Sequence, residues 1–311
     1  MIRSRHFLGC LALATACLLT AGGCGTSDDT ADANASADPG LHAKLPASIR
    51  DAGTMTVATD ASYPPCDYMN DQNKIDGFNH DILMAMADRL GIEIKQRSLA
   101  FDGLLPGVQA GRFSAAMECI TDNEEREKQV MFVDYAYAVK GVMTTSSNPG
   151  AVTENPLSLC GLKAGVQTGT EFVGDAARYS KNCAKSGRQP LTVTNFPTAA
   201  DQNTALRSGR IDLAFTDLAT GEWQRKVSGN AFSVFTSPLM ARTYVGIVVK
   251  KGDTELAEAL RSALVAMVED GSYSKIMKSW SLDDIALDTP GINLASTKPL
   301  ELPQLCGACG K

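Results

Sequence analysis

The chain predicts an α/β protein built largely from parallel sheets. Strand-like and helix-like hydrophobic periods alternate along most of it. Its body, about 240 residues from Ser48 to Leu287, is long for one core and comfortable for two lobes. Thr54–Thr59 reads as the first strand, and Asp81–Leu90 as a helix with Ile82, Met86 and Leu90 on one face. A strand over Ile92–Arg97, a helix over Asp102–Ala110 and a strand over Phe113–Ile120 are expected next. Further strands are expected near Lys163–Gln167, Leu191–Asn195 and Ile211–Thr216, with helical stretches between them. Leu256, Leu260, Ala263, Leu264, Met267 and Val268 mark a long amphipathic helix near the end. In sheets of this kind ligands bind beyond the carboxyl ends of the strands, so the residues just after strands are the ones to read for function.

The N-terminus speaks for location. Arg3, Arg5 and His6 precede an apolar run from Phe7 to Leu19, and Ala21-Gly22-Gly23-Cys24 follows. This is the layout of an export signal over residues 1–23. The run is shorter than the roughly 20 residues that span a bilayer. A cysteine directly after small residues resembles a bacterial lipoprotein processing site, which makes Cys24 the lipid-modified N-terminus. Ala21 stands where leucine is usual, and an ordinary secretory signal is the plainer alternative. Residues 24–47 carry small and polar side chains with few large apolar ones, and are expected to form a flexible tether. Such a coil reaches on the order of 25–30 Å.

Loss of the signal removes two arginines, so the net charge moves from −6 to about −8. A mildly acidic chain without a basic cluster argues against nucleic acid as a partner. Outside the signal and Cys24 there are six cysteines: Cys66, Cys119, Cys160, Cys183, Cys306 and Cys309. An even number in an oxidising compartment points to disulfides, and spacing alone leaves all fifteen pairings open. Only Cys306 and Cys309 have metal-ligand spacing, and no second such pair exists, so neither metal nor cofactor is expected.

A series of motifs carries a resemblance. Thr54 through Pro65, Gly77-Phe78-Asn79-His80-Asp81-Ile82, Phe101 through Pro106 and Ala110-Gly111-Arg112 come first. Thr121 through Arg126, Phe132-Val133-Asp134-Tyr135, Gly165 through Thr170, Ser208 through Asp217 and Asp270 through Trp280 follow in order. This series resembles the polar amino-acid solute-binding proteins of bacterial ABC importers over roughly residues 50–282, with Asn79 and His80 as departures. The resemblance implies the two-lobed periplasmic-binding-protein fold of type II, with two hinge strands and the ligand in the interlobe cleft. It places lobe one at 48–138 and 243–290 and lobe two at 142–240. The hinges fall near Ala138–Gly141 and Arg242–Tyr244, and residues 291–311 form a tail with a cysteine pair. It further implies a monomer at the outer face of the cytoplasmic membrane, held there by lipid alone, that delivers an amino acid to permease subunits.

An amino acid needs a cation, an anion and a shaped slot. By the same resemblance Arg126 meets the carboxylate with its guanidinium fork; otherwise it is a surface arginine in the run Glu124–Lys128. Thr121, and amides near Thr170 at a helix start, add donors. Asp217 takes the ammonium, with a helix N-cap as its plainer role. Tyr63 and Phe101 flank the aliphatic part, and Cys119 and Glu171 complete the lining. Asp60 and Glu118 lie toward the side-chain end, where relatives usually carry a small or apolar residue in place of Glu118. Two desolvated carboxylates repel unless a cation joins them. The expected ligand is therefore cationic: arginine, lysine or ornithine. If Glu118 turns aside to pair with Arg126 or a lysine, a polar neutral ligand such as glutamine is expected instead. Some proteins of this fold resemble periplasmic dehydratases, in which Glu118 or Glu171 would act as general acid; the intact Arg126 and Asp217 favour a binder over an enzyme. Cys160 precedes a strand of lobe two and Cys183 ends the following helix, so these two are expected to pair. Cys306–Cys309 is expected in the tail, leaving Cys66–Cys119 to brace the pocket floor.

Overall fold

The computed structural model describes residues 37–236 and 242–301. The signal, Cys24 and the Cys306–Cys309 pair lie outside the described residues. Strand β1 (Thr54–Thr59) leads into an antiparallel meander of β2 (Ser62–Tyr63), β3 (Asp67–Met69) and β4 (Ile75–Asp76). Then come β5 (Glu93–Ser98), β6 (Ala115–Ala116), β7 (Val130–Thr145), β8 (Lys163–Gln167) and β9 (Thr192–Phe196). The last strands are β10 (Leu213–Asp217), β11 (Phe232–Phe235), β12 (Arg242–Lys250) and β13 (Ala286–Ile292). The large sheet runs β5-β1-β6-β12-β7-β10-β8-β9, with β11 and β13 also paired to β7.

Pairing is parallel at the two ends of this sheet and antiparallel wherever β7 or β12 takes part. The sheet is thus mixed rather than mostly parallel, because the two strands that join the lobes run in opposite directions. The first part of β7 pairs with β12 and β13, and its second part with β10 and β11. Residues Ala138–Gly141 sit in the middle of it. Where β12 opens, Arg242 faces Val139, Thr243 faces Ala138 and Tyr244 faces Tyr137. The rings of Tyr137 and Tyr244 stack at 5.2 Å, and the Arg242 guanidinium lies 3.6 Å from the Tyr137 ring centre.

Each lobe has an apolar core on both faces of its sheet. Met55 and Val57 of β1 point to one side, against the helices Phe78–Leu90 and Thr254–Glu269; Ala58 points to the other, against Leu104 and Val108. In lobe two Leu213 and Phe215 face the helix Phe172–Lys185, while Ala214 faces Ala205 and Leu206. That helix buries Phe172, Ala176, Tyr179 and Cys183, the spacing of one helical stripe. Cys183 is bridged to Cys160 and Cys66 to Cys119, as expected.

Two boundaries and one strand differ from expectation. The tether gives way to structure before residue 47: Pro39–His42 and Ala47–Ala52 are helical, and Leu41, Leu45 and Ile49 are buried in the core of lobe one. Asp38 caps the first helix through Gly40 N and Leu41 N, with proline next, a local start signal. Lobe one also extends past residue 290. The amides of Leu294, Ala295 and Ser296 donate to Asp134 (2.9 Å), Asp122 (3.0 Å) and Glu127 (3.1 Å), and Phe132 N donates to Asn293 Oδ1. The strand expected over Phe113–Ile120 is only Ala115–Ala116, because the chain leaves the sheet toward Cys119, whose φ of 44° and bridge to Cys66 turn it away.

Leu45 has no exposed surface, so it tests the new boundary directly. Leu45→Ala should cost about 2–5 kcal/mol of stability, read as a lower Tm in thermal melts. An unchanged Tm would return the segment to the tether.

Candidate functional site

The cleft is built where β1, β8 and β10 end. Tyr63, Phe101, Glu118, Cys119, Thr121, Arg126, Gln167, Thr170, Glu171, Phe172 and Asp217 line it. The first six belong to lobe one and the rest to lobe two. Nine of these eleven are residues the sequence singled out. Gln167 and Phe172 are additions.

The lobes meet through hydrogen bonds around this space. Tyr63 Oη donates to Asp217 Oδ2 at 2.9 Å and accepts from Asp217 N at 3.0 Å. Gln167 Nε2 donates to Asp60 Oδ2 at 2.7 Å. Arg126 Nη1 donates to Thr121 O at 2.8 Å and Nη2 to Gly169 O at 3.0 Å. Thr121 Oγ1 donates to Glu171 Oε1 at 2.5 Å. Gly169 has φ of 82°, and a Cβ there would meet Asp102 at 2.8 Å, so only glycine allows this approach of the lobes.

Arg126 is partly buried, not a free surface group. Asn123 caps its short helix through Arg126 N, which turns the guanidinium inward to lie 5.8 Å from the Phe101 ring centre. Burial pushes its pKa down, against the charges of Glu171, Glu118 and Asp122. Asp217 stands at the N-cap position of the helix Leu218–Val227 yet makes no side-chain cap bond. Its Oδ1 is buried with no hydrogen-bond partner among the described residues. Burial, and then the nearby Glu171 charge, push the Asp217 carboxyl up to about 7.

Glu118 is 2% exposed and makes no hydrogen bond or ion pair with the described residues. It does not turn aside to Arg126 or a lysine. Burial, then the charges of Asp60, Asp67 and Asp217, hold its carboxyl well above the usual range; Arg126 opposes them. Asp60 departs from expectation. It is buried behind the lining, where it accepts from Gln167 and where burial raises its carboxyl. Thr170 lines the cleft, but its hydroxyl donates to Gln167 O at 2.7 Å. The amides of Glu171 and Phe172, at the start of the helix, have no acceptor among the described residues. Glu171 is not a lone acid: Lys140 Nζ lies 2.8 Å from its Oε2 and 2.9 Å from Asp175 Oδ2.

The floor explains Asn79. Asn79 is fully buried, donating to Asp67 at 2.8 Å and accepting from Tyr135 Oη at 2.8 Å. An acid at this position would set a second carboxylate against Asp67, whose own carboxyl burial pushes up to about 8. Gly77, with φ of 135°, lets this helix start pass Cys66 O where a Cβ would sit 2.2 Å away.

The alternation of β8 gave a signal for Gln167, which ends the strand beside the cleft; Phe172 opens the apolar stripe of its helix. Lys140 shows as the one charge in the apolar run Tyr135–Met143.

Known proteins resemble this chain in sequence and in fold. The sequence is 28% identical over 256 residues to the arginine-binding protein ArgT of Corynebacterium glutamicum, covering 82% of this chain and 83% of that protein. It is 25% identical over 251 residues to the L-cystine-binding protein TcyJ of Escherichia coli K12, covering 80% and 89%. A solved ancestral arginine-binding protein bound to arginine superposes with a TM-score of 0.65 at 29% identity, over 73% of this chain and 98% of that one. The family profile matches residues 55–283, and the chain belongs to the bacterial extracellular solute-binding proteins, family 3.

Proposed function

We propose that this protein captures a cationic amino acid for an ABC importer by closing its two lobes on it. The observation that carries this reading is the pair of buried acids on the cleft: among the described residues Glu118 has no hydrogen bond or ion pair, and Asp217 has one oxygen unpartnered. In this reading Asp217 Oδ1 takes the α-ammonium. Arg126, with the amides of Glu171 and Phe172, takes the carboxylate. The side-chain cation reaches Glu118, with Asp60 behind it and Tyr63 and Phe101 along its stem. The arginine-binding relatives support the ligand class. An anchor at Cys24 and delivery to permease subunits go with the proposal, as does action by binding rather than catalysis.

Titrating the twenty amino acids by thermal shift tests the ligand class. Arginine, lysine or ornithine should raise Tm, and Arg126→Ala or Asp217→Ala should weaken their binding several hundred-fold or more while the fold survives. Stabilisation by glutamine, glutamate or cystine with none from the three cations would overturn it.

Proton linkage gives a second test. Asp217, at about 7, and the raised Glu118 bind protons before a cation arrives and lose them when it does. Proton release accompanies binding, so affinity for arginine should rise between about pH 5.5 and about pH 7.5. Calorimetry in buffers of different ionisation enthalpy reads the released protons directly. No release, with affinity flat over that range, would mean that neither acid meets the cation.

The anchor is tested at Cys24. Metabolic labelling with a radioactive fatty acid should mark the wild-type protein and not Cys24→Ser. Equal labelling of both would place the lipid elsewhere, and labelling of neither would leave a soluble secreted protein.

A further inference from the structure

Lys140 is 8% exposed and sits in the middle of β7, within the residues that join the lobes. Its strand neighbour across the sheet is Asp217, the two being Cα partners in the β7–β10 pairing. Its ammonium makes two ion pairs, with Glu171 at 2.8 Å and Asp175 at 2.9 Å. Arg178 holds the other oxygen of Asp175 at 2.8 Å. Glu171 in turn uses its free oxygen to accept from Thr121 Oγ1, which belongs to the opposite lobe. Glu171 occupies the N-cap position of the helix Phe172–Lys185 without capping it, so its side chain serves this bridge instead.

We propose that Lys140 is a positioning residue of the ligand site: from the hinge strand it holds the Glu171 carboxylate in place to bond Thr121 across the cleft. The chain Lys140–Glu171–Thr121 makes hinge geometry and cleft closure one mechanical unit. It also fixes the charge of the cleft. With Glu171 matched by Lys140, the carboxylates left to face a ligand are Asp217 and Glu118. Burial works against the Lys140 charge, but Glu171 and Asp175 outweigh it and hold the ammonium above its ordinary pKa. Without the lysine, Glu171 and Asp175 would be two buried acids lacking a shared cation, and Glu171 would draw away from Asp217 and the cleft.

The test uses the full-length protein stripped of bound amino acids. Lys140→Met, Lys140→Arg, Glu171→Ala and the Lys140→Met/Glu171→Ala double variant are compared by small-angle scattering and tryptophan emission. The chain's two tryptophans report on the lobes, since Trp223 in lobe two and Trp280 in lobe one lie with ring centres 5.8 Å apart. Lys140→Met should raise the radius of gyration and change the emission, and Lys140→Arg should largely restore both. L-arginine affinity by calorimetry should fall roughly tenfold in Lys140→Met and be no lower in the double variant than in Glu171→Ala. An unchanged Lys140→Met protein would overturn the proposal. Additive losses in the double variant would do the same, by showing that Lys140 acts only through Asp175. Should Lys140→Met not fold, Glu171→Ala is cycled with Thr121→Val, where equal, non-additive opening is expected and additive opening overturns it. The affinity arm rests on the cationic-ligand reading. If wild type does not bind L-arginine, that reading fails, while scattering and emission still decide on Lys140.

Discussion

A carboxylate taken out of water must find a cation, a set of donors or a proton, and this chain buries several around one cleft. Each solves the problem differently. Asp60 accepts from Gln167 across the lobes, Asp67 from Asn79 on the floor, and Glu171 pairs with Lys140. Asp217 is half solved, one oxygen on Tyr63 and the other unpartnered among the described residues. Glu118 makes neither hydrogen bond nor ion pair among them. The cleft is therefore graded. Asp60, Asp67 and Glu171 are matched by the protein itself, whereas Asp217 is matched at one oxygen and Glu118 at neither among the described residues. In the proposed reading a cationic zwitterion supplies what the last two lack.

The scaffold keeps these acids from relaxing away from one another. Glu118 lies between the short strand β6 and Cys119, and the bridge to Cys66 ties that turn to the loop that carries Tyr63. Tyr63 reaches Asp217 at the end of β10, which pairs with β7. Strand β7 carries Lys140 and, through it, Glu171. The floor, the hinge strand and both lobes thus form a closed circuit of covalent and hydrogen bonds around the cavity. With the lobes together, these bonds hold the lining groups in fixed positions around the cavity.

Much of this was legible in the sequence, because both lobes announce themselves through period and the pocket through residues placed after strands. The spans of β1 and β8 and the long C-terminal helix followed from apolar spacing, since local pattern and tertiary burial agree there. Arg126 and Asp217 needed the ordered motif series, because each also fits a bland local role: a charged helix surface and an N-cap. The helices at Pro39–His42 and Ala47–Ala52 are hidden by the small, polar composition of the segment before them, although Leu41, Leu45 and Ile49 repeat at helical spacing behind a capping Asp38. The brevity of β6 was not legible, since a disulfide and a left-handed Cys119, not the apolar run, decide where that strand ends. Asp60 follows directly on its strand, but its direction depends on Gln167 from the other lobe. No single-lobe pattern encodes that contact.

The same bookkeeping of charge separates a binder from a proton donor on this scaffold. A general acid has to hold a proton and touch its substrate. Glu171 touches the cleft, but both its oxygens are engaged, one by the Lys140 ammonium and the other by the Thr121 hydroxyl. Glu118 holds its proton more tightly than an ordinary carboxyl, because burial and the surrounding acids disfavour its charge. A cation placed against it reverses that balance and expels the proton before any chemistry, leaving an anion that can only attract. A neutral or anionic occupant would leave the proton in place and the acid intact. Whether this cleft binds or catalyses is thus set by the charge of what enters it. In the proposed reading Arg126 and Asp217 select a zwitterion and Glu118 a further positive charge, so the molecule that fits is the one that disarms the acid.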